Sequence, residues 1–241
     1  MIITLANFKM NKTLYDNKVW AEKFCELLFK GRKLSSKVGC APSFPYIKTM
    51  KDVLIGTGIY VGAQNMYFEP KGAFTGEVSI SQLKDLGIDF VIIGHSERRH
   101  IFGETDELIK KKVHSAASNG ILPVLCVGET LEQRKSGKTL EIIEKQLEAL
   151  EGAKNHIVIA YEPVWAIGTG IPATKEQIKE AVDFIREKSK KYIKDFSVLY
   201  GGSIDEKVAE EISDICDGGL VGSASLDPQK FYKICLAFDT V

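Results

Sequence analysis

A short apolar run ends at an acidic residue in the segment Ile157-Val158-Ile159-Ala160-Tyr161-Glu162-Pro163. Continuous runs rich in Val and Ile are typical of strands that are buried on both faces, as in parallel sheets. A glycine-bearing loop follows, and Thr174 with Gln177 then has the pattern of a capping box, which opens a helix. Apolar residues recur at helical spacing from Ile178 to Tyr192. This part of the chain therefore predicts one unit of strand, loop and helix.

The same unit recurs from one end of the chain to the other. Apolar runs start roughly 20 to 40 residues apart, which leaves room for one crossover helix between neighbouring strands. Ser79 with Gln82 and Ser203 with Glu206 have the pattern of further capping boxes. The eight runs are residues 2–6, 38–41, 59–63, 90–93, 122–127, 157–160, 197–200 and 219–221.

Eight repeats without a linker predict an α/β fold. We expect a single (β/α)8 barrel, with eight parallel strands inside and the helices outside. Residues 1–241 are expected to form one domain, because this length is ordinary for one α/β barrel. A doubly wound open sheet is the structural alternative, and the pattern does not distinguish it from a barrel.

The composition argues against several classes of function. Lys plus Arg and Asp plus Glu each number 32, so the formal net charge is zero and we expect no nucleic-acid partner. A local basic site for a small anion is compatible with this balance. No apolar run approaches 18 residues and no charged leader precedes one, so we expect neither a membrane span nor a signal peptide. Five widely spaced cysteines without a CxxC pair predict neither a disulfide framework nor a metal site, and favour a cytoplasmic location.

Ionisable side chains follow three of the predicted strands. In a barrel, the residues directly after each strand line the catalytic mouth. Asn7 and Lys9 follow the first run, His95 and Glu97 follow the fourth, and Glu162 follows the sixth. Taken singly, such residues are more often surface groups, packed histidines or halves of ion pairs. Their joint placement after separate strands favours an acid–base site.

Two glycine-bearing turns follow the seventh and eighth runs. They are Gly201-Gly202-Ser203 and Gly222-Ser223. Turns of this kind present backbone N–H groups that suit a phosphate, and the loops after strands seven and eight often bind phosphate in barrels. A tight turn with Ser203 as a helix cap is an equally good interpretation of the first turn, and both can hold together.

At these residues the sequence resembles the triosephosphate isomerase family. The similarity runs the length of the chain, with every motif in family order, and it is most specific at residues 160–170. That segment reads Ala-Tyr-Glu-Pro-Val-Trp-Ala-Ile-Gly-Thr-Gly and resembles the base and lid of the family. The other matching segments are residues 7–11, 62–65, 72–77, 94–99, 126–129, 200–203 and 220–226.

The resemblance implies a TIM barrel that interconverts dihydroxyacetone phosphate and glyceraldehyde 3-phosphate, in glycolysis and gluconeogenesis, without a metal or an organic cofactor. It implies that Glu162 removes the proton and that His95 and Lys9 stabilise the enediolate. Asn7 assists them, and Glu97 supports the charge of Lys9. Residues expected to bind the substrate are Asn7, Lys9, Gly168, Ser203, Gly222 and Ser223.

The loop from Gln64 to Glu77 is long and carries Tyr67, Phe68 and Phe74. A monomer would hardly expose this much apolar surface on one loop, so an interface is expected. The resemblance implies a homodimer in which Thr75 lies beside the active site of the partner subunit.

The chain departs from the usual pattern of the family at Phe8, 171–173, 204–205 and Ser223. Pro172 is expected to stiffen the far end of the lid, and none of the departures removes a catalytic group. Two alternatives stay open. One is another phosphate-binding barrel enzyme, a sugar isomerase or an aldolase, although Lys9 follows a short strand instead of lying on an inner one. The other is a catalytically silent binding protein, which would be expected to lose Glu162.

Overall fold

Eight parallel strands form a closed barrel in the computed structural model, which describes residues 1–166 and 173–239. Each strand pairs with the next along the chain, and the first also pairs with the last. The predicted (β/α)8 barrel is confirmed and the open sheet is excluded. The strands are β1 (Ile3–Asn7), β2 (Lys37–Ala41), β3 (Tyr60–Ala63), β4 (Phe90–Ile93), β5 (Leu122–Val127), β6 (Ile157–Tyr161), β7 (Phe196–Tyr200) and β8 (Gly218–Val221).

Helices surround the barrel in the described part of the chain. Short 3₁₀ turns occur at Phe44–Tyr46, Glu148–Leu150, Val164–Ala166 and Ser223–Leu226. None of the described helices combines the length and the apolar composition needed to cross a bilayer. The α-helices are α1 (Leu14–Lys30), α2 (Ile47–Val53), α3 (Ile80–Asp85), α4 (Ser96–His100), α5 (Asp106–Ser118), α6 (Leu131–Lys135), α7 (Thr139–Leu147), α8 (Lys175–Ser189), α9 (Glu206–Ile212) and α10 (Pro228–Phe238).

Side chains fill the inside of the barrel, so the interior is a core and not a pore. Alternate strand residues point inward, and Phe90 occupies the space beside β2 and β3. A Cβ atom at Gly62 would lie 2.5 Å from the Phe90 ring, and one at Gly39 would lie 2.9 Å from it. The interior therefore leaves no room for a ligand at mid-height. A small molecule has to bind at the mouth, as the barrel geometry predicts.

Two of the three predicted capping boxes are confirmed. Thr174 with Gln177 opens α8, and Ser79 with Gln82 opens α3. The third prediction is wrong, because Asp205 caps α9 by accepting a hydrogen bond from the Val208 N–H group. Ser203 instead donates its hydroxyl to the Ala166 carbonyl at 2.7 Å. Its side chain therefore links the turn after β7 to the segment after β6.

Asp239 fixes the end of α10 against the turn that precedes β2. Its carboxylate accepts hydrogen bonds from the N–H groups of Ser35 and Ser36 and from Arg32. Burial alone would raise the pKa of this carboxyl, but the hydrogen bonds from Ser35 and Ser36 outweigh burial and lower it to about 2. The charged form is thus favoured by folding. Its contribution is complete above about pH 4 and is lost as the pH falls towards 2.

We expect Asp239→Asn to unfold several degrees below the unchanged protein at pH 7, because a shift of this size corresponds to about 2 kcal/mol. The difference in melting temperature should shrink as the pH falls from 5 to 3, because the Asp239 carboxylate of the unfolded chain then takes up a proton while that of the folded protein, with its pKa of about 2, stays charged. Thermal unfolding followed by circular dichroism at several pH values measures it. A difference that stays constant down to pH 3 would contradict this account.

Candidate active site

The mouth at the carboxyl ends of the strands holds a small cavity of about 170 Å³. This volume lies below the range of pockets that hold drug-sized ligands, so the cavity suits a small molecule. Residues that follow β1, β4, β7 and β8 line it, among them Asn7, Lys9, His95, Ser203, Gly222 and Ser223. The structure thus brings together six of the residues that the sequence nominated.

Lys9 is held in place through both its backbone and its side chain. Its φ angle is 50°, which is unusual for a residue with a side chain. The Asn7 side chain accepts a hydrogen bond from the Lys9 N–H group at 3.0 Å. Ser43 and Gln64 donate to the Lys9 carbonyl at 3.1 and 2.8 Å. The ammonium group lies 2.8 Å from a carboxylate oxygen of Glu97 and faces the cavity.

His95 stands at the start of α4, directly after β4. Its Nδ1 atom accepts a hydrogen bond from the Glu97 N–H group at 3.3 Å. An acceptor nitrogen carries no proton, so the ring is neutral in this arrangement and its proton sits on Nε2. Nε2 is therefore the atom that can donate towards the cavity.

Glu162 lies almost fully buried, with 2% of its surface exposed. One carboxylate oxygen, Oε2, accepts the N–H group of Ser96 at 2.8 Å. The other, Oε1, lies 3.2 Å from His95 Nε2 but has no hydrogen-bond partner among the described residues. A buried carboxylate oxygen without a donor is costly, and such atoms often have a catalytic role.

Close backbone contacts shut water away from Glu162. A Cβ atom at Gly201 would lie 2.8 Å from the Glu162 side chain, and one at Gly128 would lie 1.8 Å from its carbonyl. Cys126 packs beside the carboxylate. Burial, and next the charge of Glu162, raises the pKa of this thiol well above its usual value. Cys126 therefore stays neutral at physiological pH and adds no charge to the site.

The turns after β7 and β8 border the same cavity. Ser203, Gly222 and Ser223 line it, and the 3₁₀ turn Ser223–Leu226 begins there. The first N–H groups of such a turn have no partner within it. Gly168, which the sequence also nominated for substrate binding, lies outside the described residues, as do Ile171 and Pro172 of the predicted lid.

Sequence analysis assigned no role to the residues that anchor the start of the predicted lid. The Trp165 ring donates to Glu129 at 2.9 Å, and Arg134 and Tyr161 contact the same carboxylate at 2.9 and 3.2 Å. Glu129 has no exposed surface. The pKa of the Tyr161 hydroxyl is raised by burial and then by the Glu129 charge, so this hydroxyl remains a donor. Glu129 lies in the matching segment 126–129, and Tyr161 and Trp165 lie in the matching segment 160–170, whereas Arg134 lies in neither.

A buried ionic cluster supports α4, which carries His95 and Glu97 at its start. Lys112 of α5 donates to Glu104 at 2.6 Å and to Asn65 at 2.9 Å, and Arg98 of α4 donates to Glu104 at 2.7 Å. Burial lowers the pKa of Lys112, while the hydrogen bond and charge of Glu104 oppose that change. Removing one partner would leave the others buried and unpaired. The cluster therefore ties α4 to α5 and to the loop after β3.

A second group of acid, imidazole and hydroxyl lies at the opposite end of the barrel. His156 Nδ1 is 2.8 Å from Asp195, and His156 Nε2 is 3.3 Å from the hydroxyl of Ser197. Ser197 has no exposed surface and donates its hydroxyl to the Met1 carbonyl at 3.1 Å. A substrate cannot reach this hydroxyl, so the group closes the lower end of the barrel and is not a nucleophilic site.

Within residues 1–166 and 173–239, no three His, Cys, Asp or Glu side chains are grouped so that they could hold a metal ion. The groups at the mouth that can take part in chemistry are those described above. They are a buried carboxylate, a neutral imidazole, an ammonium group and backbone N–H groups, all around one cavity. This set can remove a proton from a carbon atom and stabilise the oxyanion that results.

Comparison with known proteins agrees with this geometry. The family model described as triosephosphate isomerase matches residues 2–238. The chain is 46% identical over 243 residues to the triosephosphate isomerase of Aquifex aeolicus, an alignment that covers 97% of this chain and 98% of that protein. It is 45% identical over 239 residues to the enzyme of the same name from Thermodesulfovibrio yellowstonii, with 95% and 96% of the two chains covered. For the Dictyoglomus thermophilum triosephosphate isomerase the identity is 46% over 244 residues, with 96% and 97% covered. Barrel, cavity and whole-chain similarity agree, and the protein belongs to the triosephosphate isomerase family.

Proposed function

We propose that the mouth of this barrel interconverts dihydroxyacetone phosphate and glyceraldehyde 3-phosphate by moving a proton between adjacent carbons. The observation that carries the proposal is the position of Glu162. One of its buried carboxylate oxygens has no hydrogen-bond donor within residues 1–166 and 173–239 and lies 3.2 Å from the imidazole of His95. A base and a donor held this close can act on two neighbouring atoms of one small substrate.

Glu162 is the general base in this proposal. Its free oxygen, Oε1, removes the proton from the carbon beside the carbonyl and returns it to the neighbouring carbon. The surrounding backbone of Gly128 and Gly201 limits the access of water, which would otherwise solvate the carboxylate and weaken it as a base. The other oxygen accepts the Ser96 N–H group, which fixes the orientation of the carboxylate.

His95 and Lys9 stabilise the negative charge that develops on the enediolate oxygens, and Asn7 lies beside them. The Glu97 N–H group holds His95 in the tautomer that donates from Nε2. A neutral histidine in this role is already known for enzymes of this family. Glu97 also pairs with Lys9 and so holds the ammonium group at the cavity. One preorganised donor of this kind is worth about 3 kcal/mol in the transition state.

The phosphate group binds at the turns after β7 and β8. Ser203, Gly222 and Ser223 line the cavity there and can offer backbone N–H groups. The family resemblance adds Gly168, which lies outside the described residues, as a further donor. Lys9 supplies a positive charge at the same cavity. Base, oxyanion donors and phosphate donors are then all protein groups, so the reaction proceeds without a metal or an organic cofactor.

A coupled assay on glyceraldehyde 3-phosphate tests the activity, and exchange of solvent deuterium into the substrate tests the enediolate route. We expect turnover with both and no loss of activity after treatment with a chelator. An aldolase that forms a Schiff base would instead be inactivated by borohydride in the presence of substrate. If neither turnover of glyceraldehyde 3-phosphate nor deuterium exchange were detected, the proposal would be wrong.

We also propose that the active form is a homodimer through the loop from Gln64 to Glu77. Phe74, at the tip of this loop, is 40% exposed although its ring packs 4.5 Å from the Tyr67 ring. On the neighbouring loops after β1 and β4, Met10 is 95% exposed and Ile101 is 72% exposed. Large apolar side chains concentrated on one side of the mouth are typical of an interface. Thr75 would then approach the active site of the partner subunit.

Phe74→Asp is expected to shift the protein from dimer to monomer and to lower its turnover at low concentration, because a charge would be buried at the interface. Phe29→Asp is the matched control, since Phe29 is 92% exposed near the end of α1, at the opposite end of the barrel. Sedimentation velocity together with the coupled assay measures both variants. A Phe74→Asp monomer with full activity would contradict the proposal.

Finally, we propose that residues 1–241 form one domain that acts in the cytoplasm. The barrel closes between β1 and β8, which begin at Ile3 and Gly218, and α10 packs on α1 and α9. The first and last described elements, β1 and α10, thus belong to one closed structure. The five cysteines are free thiols, which is typical of a reducing compartment such as the cytoplasm.

A further inference from the structure

Lys12 joins the loop after β1 to the turn after β8. Its ammonium group donates a hydrogen bond to the Leu226 carbonyl at 2.8 Å. Leu226 is the last residue of the 3₁₀ turn Ser223–Leu226, which borders the active-site cavity. The ammonium group also lies 5.4 Å from the centre of the Phe8 ring. A side chain outside the cavity is therefore fixed to the far end of a turn that faces into it.

The backbone of Lys12 supports a specific role for this contact. Its φ angle is 68°, in the left-handed region that residues with a side chain seldom adopt. Lys9, three residues earlier, has a φ angle of 50°. Strained conformations of this kind persist only where the surroundings hold them, and they concentrate at functional sites. The left-handed turn sends the Lys9 side chain into the cavity, and the Lys12 side chain reaches Leu226.

Two neighbouring carbonyl groups, one in the turn and one directly before it, also accept side-chain hydrogen bonds. The buried Trp20 ring donates to the Ser225 carbonyl at 2.8 Å, and the Ser225 hydroxyl donates to the Gly222 carbonyl at 2.6 Å. The N–H groups at the start of the turn have no partner within it and remain able to bind an anion. Of these donors, only Lys12 carries a charge. Hydrogen bonds from charged donors are roughly twice as strong as neutral ones.

The charge of Lys12 is balanced locally. Burial lowers its pKa, while Asp16 at the start of α1 and Asp227, which caps α10, raise it. Asp227 directly follows Leu226, so the ammonium group contacts one end of the turn by a hydrogen bond and by a charge interaction. This arrangement is typical of a side chain that stabilises a turn. The direct contacts with the phosphate then come from the backbone N–H groups of the turn.

We propose that Lys12 is a positioning residue for the phosphate group of the substrate, through its hold on the turn Ser223–Leu226. The inference deepens the proposed function and rests on it, because the phosphate is that of the triose. Lys12 touches neither the substrate nor the reacting atoms. Without the Lys12 ammonium group the turn should shift, and the hydrogen bond from the Ser223 N–H group to the phosphate should weaken. The rate of proton transfer should change little.

The test compares Lys12→Met, which keeps the stem and removes the donor, with Lys12→Arg, which keeps a charged donor. Lys18→Met is the matched control for net charge, since Lys18 is an exposed residue of α1 outside the site. We expect Lys12→Met to raise KM for glyceraldehyde 3-phosphate and the Kd of inorganic phosphate about tenfold, the loss typical of one hydrogen bond from a charged group. kcat should stay within about threefold. Lys12→Arg should recover most of the affinity, and Lys18→Met should match the unchanged protein.

A phosphate-free substrate separates positioning from a general structural role. Exchange of solvent deuterium into D-glyceraldehyde should be the same in Lys12→Met and in the unchanged protein, because that substrate does not use the turn. Equal losses on both substrates, or an unaltered Kd for inorganic phosphate measured by calorimetry, would overturn the inference. Weaker binding of inorganic phosphate in a protein that shows no isomerase turnover would support this role of Lys12 while the proposed function failed.

Discussion

Glu162→Gln is expected to lower kcat by about a thousandfold or more while the affinity for a phosphate ligand stays nearly unchanged. A positioned general base contributes roughly 10² to 10⁴ in rate, and an amide cannot take up the proton. In the proposed function the phosphate binds at the turns after β7 and β8, which do not use the carboxylate. In this variant kcat should therefore fall steeply while the Kd of the phosphate ligand changes little.

The glutamine side chain should fit the site without disturbing the fold. Its amide oxygen can accept the Ser96 N–H group, which Glu162 accepts at 2.8 Å, and its volume matches the space beneath Gly201. Removing a buried charge also removes the cost of burying it. We therefore expect the melting temperature of Glu162→Gln to be no lower than that of the unchanged protein.

Glu162→Asp is the matched comparison, because it keeps the carboxylate and withdraws it by one methylene group. A displacement of about 1 Å can cost on the order of a hundredfold in rate. The kcat of Glu162→Asp should therefore lie between those of the unchanged protein and Glu162→Gln. Deuterium exchange into dihydroxyacetone phosphate measures proton removal, and inhibition by inorganic phosphate measures binding. If Glu162→Gln lost binding and turnover equally, the residue would be structural.

The barrel could be predicted from the sequence because its strands are buried on both faces and so form continuous apolar runs. The eighth strand shows the limit of that signal. It starts at Gly218, where a Cβ atom would lie 2.0 Å from the Ile3 carbonyl. This glycine is required by a contact with a strand some 200 residues away in the chain. In the sequence alone it has the appearance of a turn residue. The same holds at the start of α9, where Asp205 takes the capping position that the sequence pattern gave to Ser203.

The nominated site residues were recognisable because barrel geometry places every post-strand residue at one mouth. The contacts that hold these residues in place could not be predicted from the sequence. Glu129 accepts a hydrogen bond from Trp165, which is 36 positions away in the chain. Lys112 donates one to Asn65, which is 47 positions away. Lys12 meets Leu226 across 214 positions. Charged residues of this kind look like ordinary surface groups until the fold brings their partners beside them.

Lys9→Met should damage binding and chemistry together, in contrast to Glu162→Gln. In the proposed function the Lys9 ammonium faces both the phosphate and the developing enediolate charge. A preorganised oxyanion donor is worth about 3 kcal/mol, and a hydrogen bond to a charged group is worth about 1.5 to 3 kcal/mol. Together these contributions predict a loss of roughly 10³ to 10⁴ in kcat/KM. The Kd of inorganic phosphate should rise at least about tenfold.

The fold should survive this substitution. The side chains of Asn7, Ser43 and Gln64 hold the Lys9 backbone at its unusual φ angle, and none of them contacts the ammonium group. Glu97 would lose its partner, but its side chain is 41% exposed and stays solvated. The melting temperature should therefore change little, and any loss of activity reports on the charge of Lys9.

Lys9→Arg is the control, because it keeps the charge and changes its shape and reach. We expect it to retain most of the phosphate affinity and to recover only part of kcat, since binding follows the charge while the enediolate requires a donor at one fixed point. Steady-state kinetics with calorimetry of inorganic phosphate gives both quantities for each variant. Near-normal kinetics for Lys9→Met would mean that the ammonium group only neutralises Glu97, and the roles assigned to the mouth of the barrel would have to be redistributed between His95 and the backbone N–H groups.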